Sequence, residues 1–123
     1  MILLAAVCAV VVAGCGKASP HIYSLAKTKA CLQSKQVRLG GPLDFVASTA
    51  TGGAVKAHLS DNFLTLVFGK TVQDADNLDA FYRRVAARNV GIDDVLRQDQ
   101  NAVMLWHVHP SDADLSLVTG CLK

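Results

Sequence analysis

Two short segments, Phe63–Phe68 (FLTLVF) and Ala102–His107 (AVMLWH), are apolar at consecutive positions rather than at alternate ones. Successive side chains of a strand point to opposite faces, so a strand of this kind is apolar on both faces and belongs in the middle of a sheet. Each is preceded by a half-exposed segment. Val55, Ala57 and Leu59 alternate with Lys56, His58 and Ser60, and Ser60-Asp61-Asn62 turns the chain into Phe63. Asp94–Gln98 is a second short strand, and Asp99-Gln100-Asn101 turns it into Ala102. Each apolar strand is also followed by a helical pattern. Asp74–Asn89 places Leu78, Phe81, Tyr82, Val85 and Ala86 on one face, with aspartates at its start, arginines at its end and Gly91 near the C′ position. Asp79 stands four residues before Arg83, in reach of an ion pair. Ser111–Leu122 carries Leu115, Val118 and Leu122 as its stripe, with Ser111 and Asp114 spaced as a capping box.

The chain thus contains two β-β-α units in succession. Ahead of them, Ser24–Ser34 reads as a helix capped by Ser24, with Leu25, Thr28 and Leu32 on one stripe and Cys31 beside it. Val37-Arg38-Leu39 alternates as a short strand, stopped by Gly40-Gly41-Pro42. Between Leu43 and Gly53 the pattern is ambiguous, and Asp44-Phe45-Val46-Ala47 suits strand or helix. The expected fold class is α+β: a single small domain with an antiparallel sheet of about four or five strands and about three helices on one face. The order is α-β followed by the two β-β-α units.

The first 16 residues, MILLAAVCAVVVAGCG, differ in kind from the rest. The apolar run from Ile2 to Ala13 would make a helix of roughly 18 Å, short of a ~30 Å hydrocarbon core, and suits the h-region of a signal peptide. It ends in Val12-Ala13-Gly14-Cys15, which resembles the lipobox of bacterial lipoprotein signal peptides. The resemblance implies cleavage before Cys15 and acylation of its thiol. It also implies a membrane-anchored, extracytoplasmic protein divided into a leader (1–14), a lipidated tether (15–23) and the α+β domain (24–123). The alternatives are an ordinary signal cut after Ala18 and a buried apolar helix. With the leader removed, roughly 109 residues remain, enough for one domain with a real core but little stability to spare.

Of the four cysteines, Cys8 then departs with the leader and Cys15 takes the lipid. Cys31 and Cys121 are left near the two ends of the domain, in a compartment that permits oxidation, and a structural disulfide between them is expected. Neither lies in CxxC spacing or three or four residues from a histidine, as a redox or metal site would require.

Chemistry-bearing patterns are sparse. Residues two apart on a strand point to the same side, so His107 and His109 can place two imidazoles on one metal ion. His58 is a potential third ligand, with Asp112 or Asp114 offering a carboxylate, and zinc or copper is the cofactor class implied. In the plainer reading, Pro110 ends the strand and these histidines are half-exposed at its tip. Arg83, Arg84 and Arg88 offer a site for an anionic polymer or a lipid headgroup, although their position at a helix end accounts for them as partners of the helix dipole. Trp106 reads as core, with an indole N–H that needs a partner if buried. Gly69-Lys70-Thr71 lacks the upstream glycine of a phosphate-binding loop, and no GxSxG or HExxH occurs. The net charge of +2 is spread along the chain, which gives no nucleic-acid signature. All ten acidic residues are aspartate, which favours caps and turns over helix interiors. The function expected from sequence is a non-enzymatic, membrane-tethered module that contacts a protein, an envelope polymer or a small ligand. The alternative is a metal-binding lipoprotein using His107 and His109.

Overall fold

The computed structural model describes residues 21–87 and 91–123. The leader, the lipobox with Cys15, most of the tether, and Arg88 therefore lie outside the described residues. In chain order the elements are α1 (Leu25–Ser34), β1 (Arg38–Leu39), α2 (Phe45–Ser48), β2 (Ala54–His58), β3 (Phe63–Phe68) and α3 (Val72–Val85). They are followed by α4 (Ile92–Val95), β4 (Leu96–Asp99), β5 (Ala102–Trp106) and α5 (Asp112–Gly120). Among the described residues no helix is long and apolar enough to cross a membrane.

The five strands form one antiparallel sheet in the order β1-β2-β3-β5-β4. The two strands that are apolar on both faces, β3 and β5, are its centre, as their composition requires. Leu64 faces Trp106 and Val67 faces Val103 across their shared ladder. The hairpin of β4 and β5 folds back so that β5 inserts between β3 and β4, and the β3-to-β4 connection carries α3 across one face of the sheet.

Helices cover both faces of the sheet, not one. Leu64, Leu66, Phe68, Ala102, Met104 and Trp106 form a core with Leu32 of α1 and Val118 of α5. Val67, Val103 and Leu96 point the other way and pack against Val46 and Ala47 of α2 and Ala75, Leu78 and Tyr82 of α3. The cause is the same double-sided apolar composition. A sheet whose central strands are apolar on both faces leaves one face wet unless helices cover each.

Cys31 of α1 and Cys121 at the end of α5 form a disulfide, their Cα atoms 5.3 Å apart. It staples the two helices of one layer together across a sequence separation of 90. The start of the chain is held independently. Asn101, fully buried in the β4–β5 turn, accepts from the Tyr23 N–H (2.7 Å) and donates to the carbonyls of Tyr23 (2.9 Å) and Gly69 (2.8 Å).

Helix α3 begins two residues earlier than the charge pattern suggests and stops four residues earlier. Thr71 caps it in a reciprocal box with Asp74, so Asp74 sits in the first turn and does not precede it. At the other end Ala86 is already extended. Gly91 adopts a left-handed conformation (φ 61°), but it introduces α4 and does not close α3. From there Ile92 packs against the same core as α3. The early stop of α3 has a functional consequence.

Candidate functional site

Because α3 ends at Val85 and α2 is only four residues long, the face of the sheet they cover is only half covered. Cross-strand partners on one face identify its rows. Ala54, Val67 and Val103 form a row beneath the helices; Lys56, Thr65, Leu105 and Leu96 form the next; Arg38, His58, Phe63 and His107 form the outermost. Lys56, Thr65, Leu105, Phe63 and His107 of the outer two rows floor a groove of about 640 Å³. Its walls are Phe45 and Val46 of α2, Phe81, Tyr82 and Val85 of α3, and Ile92 and Val95 of α4. The volume falls within the roughly 300–1,000 Å³ of ordinary small-molecule sites. Two of its wall residues are well exposed for apolar side chains, Phe45 at 73% and Val85 at 59%.

The groove's polar groups are few. Asp44 caps α2 through the Ala47 N–H (2.8 Å), and its two carboxylate oxygens each lie 3.0 Å from the Tyr82 hydroxyl, which donates to them. Tyr82 is only 4% exposed. Burial, then the Asp44 charge, then the hydrogen bond to Asp44 push its phenol far above the ordinary value of 10.0. The folded state thus keeps this proton to higher pH than the unfolded chain does. The contribution to stability is intact below about pH 10 and is lost as pH rises above it. Tyr23 is shifted the same way, chiefly by burial. In urea titrations at about pH 8 and about pH 11, Tyr82→Phe should therefore show a smaller alkaline loss than the parent without abolishing it. Equal losses would remove Tyr82 as a contributor.

Lys56 lies across the floor, its ammonium 5.1 Å from the centre of the Phe63 ring. That ring is stacked on His107, centroids 4.4 Å apart and planes within 15°. Phe45 and Phe81 stand 6.2 Å apart at 51°, tilted rather than parallel.

The histidines singled out by sequence do not converge. The His107 N–H makes a last ladder bond to Phe63 O (2.9 Å). Beyond it, the Asn62 side chain takes both the N–H and the C=O of Val108 (3.2 and 3.0 Å) and the chain leaves the sheet. Strand alternation ends there, so the two-residue spacing no longer sets where His109 lies relative to His107. His58 bonds Gly40 O (2.8 Å) and is separated from His107 by Phe63 in the outer row, whereas His109 pairs with Asp94 (2.7 Å). Among the described residues, no three His, Cys or Asp side chains are placed to hold a metal ion.

Of the three arginines, Arg83 and Arg84 are described, and each has a different partner. Arg83 is taken by Asp79 (2.6 Å), as the i, i+4 spacing predicts, and by Asp93. Arg84 lies over the Phe81 ring, 4.9 Å from its centre. Trp106 is core, but its indole N–H is buried with no hydrogen-bond partner among the described residues.

Sequence reasoning missed the groove. Its residues read singly as helix stripe or strand interior, and only Lys56 and Thr65, polar positions on otherwise apolar ground, signalled an incomplete cover. No protein-family model, curated protein or solved structure matches the chain.

Proposed function

We propose that this is a membrane-anchored, extracytoplasmic binding module, held by an acylated Cys15 and using the groove beside α3 to take up an apolar group. The groove carries the proposal. It is concave, lined mainly by apolar side chains and edged by a few polar groups, the usual composition of a small-molecule site. The lipobox pattern Val12-Ala13-Gly14-Cys15 supports the anchor. The Cys31–Cys121 disulfide supports an oxidising compartment, since such bonds are rare where thiols are kept reduced.

The test has two arms. Cys15→Ser should release the protein from the membrane fraction, and undiminished retention would refute acylation at that position. The neutral dye N-phenylnaphthylamine, which fluoresces in apolar sites, should bind the soluble Cys15→Ser chain one to one. Val85→Asp puts a charge on the exposed wall of the groove without disturbing the core, and should weaken that binding about tenfold or more. Dye binding indifferent to Val85→Asp would remove the groove as the site.

A further inference from the structure

We infer that the natural occupant of the groove is a long-chain fatty acid, with its carboxylate held by Lys56 and Thr65 and its chain lying toward Leu105 and Val85; the inference rests on the binding role proposed above. Charge selects the head group. Lys56 has no carboxylate within ion-pair distance among the described residues, whereas the one carboxylate on the groove's lining, Asp44, is already bonded by Tyr82 and Ala47. Thr65 is the direct cross-strand partner of Lys56 on the same face, and its hydroxyl makes no hydrogen bond to another described residue. An ammonium and a hydroxyl on adjacent strands, with Cβ atoms roughly 5 Å apart, suit the two oxygens of one carboxylate. Arg38, in the outermost row beyond His58, adds positive potential at the mouth.

Shape selects the body. A planar ring system gains most where an aromatic face is free to stack on it. Here Phe45 and Phe81 are tilted by 51°, and the Phe63 ring is already stacked on His107 and overlain by Lys56. The rest of the lining is branched aliphatic, including Val85, Ile92, Val95 and Leu105. A flexible alkyl chain can follow such a surface more closely than a rigid plate can.

The experiment uses the full chain carrying Cys15→Ser, so that no acyl group of its own competes. Octanoate, decanoate, laurate and myristate are titrated calorimetrically below their aggregation limits, with dodecanol as the uncharged match to laurate. Binding should be one to one and should tighten by roughly tenfold per two added carbons until the groove is filled. Lys56→Met keeps the apolar stem and should weaken laurate about tenfold while leaving dodecanol unchanged; Thr65→Val should weaken laurate to a smaller extent. Equal affinities of laurate and dodecanol, both indifferent to Lys56→Met, would overturn the head-group assignment. If the acids fail while N-phenylnaphthylamine still binds, the groove remains a binding site and the fatty-acid inference falls alone. If neither binds, both fall.

Discussion

Serine in place of Cys31 or Cys121 should lower the stability of the domain by up to ~4–5 kcal/mol, the entropy released when a closed loop of this length is opened. For a domain of about this size, that corresponds to a drop in melting temperature of roughly 15–30 °C. The bond joins the first helix to the end of the last across a separation of 90 residues, so its loss frees nearly the whole domain chain in the unfolded state. The folded state should keep its packing, because Cys121 is buried in the core cluster and serine is close to it in size. Reductant should shift the melting curve of the parent by a similar amount and leave that of the variant where it is. Superimposable curves for parent and variant would show that the bridge contributes nothing.

A comparable effect is expected at Asn101. Its side chain satisfies three backbone groups, the N–H and C=O of Tyr23 and the C=O of Gly69, from a position with no solvent exposure. Each buried polar group left unpaired costs about 1–3 kcal/mol. Asn101→Ala should therefore destabilise by about 3 kcal/mol or more. Asn101→Asp is the sharper test because it changes almost no volume. It replaces two donors by an acceptor facing two carbonyls and buries a charge, so it should cost at least as much at neutral pH. Should the aspartate variant melt with the parent while only the alanine variant suffers, the loss would reflect a cavity rather than hydrogen bonds.

The positions of the strands were legible in the sequence because a strand's period is local. Alternation in Ala54–His58 and unbroken apolarity in Phe63–Phe68 and Ala102–Trp106 are enough to order the sheet from edge to centre. The same unbroken apolarity demands cover on both faces, which is why the helices are divided between them. Helix α2 was not legible: four residues give no period, and its best local sign is the single cap at Asp44. The end of α3 was misplaced for a different reason. Ala86 and Ala87 are good helix formers, and nothing local stops the helix at Val85. The stop coincides with the packing of Ile92 against the core, a tertiary effect. The strand geometry behind pairing His107 with His109 stops short of His109 because a side chain far away in sequence, Asn62, takes over the hydrogen bonds of Val108. The groove is the sum of these non-local events, and that is why no stretch of sequence announces it.

The pinning of Tyr23 also fixes an orientation. Asn101 holds the incoming chain beside Gly69, at the end of the strands where β3 finishes and β5 begins, whereas Phe63 and His107 lie at the opposite end. Five residues of strand separate the two, roughly 17 Å. On the proposed anchor at Cys15, the basic, aromatic rim would lie at the end of the sheet away from the point where the chain enters the domain.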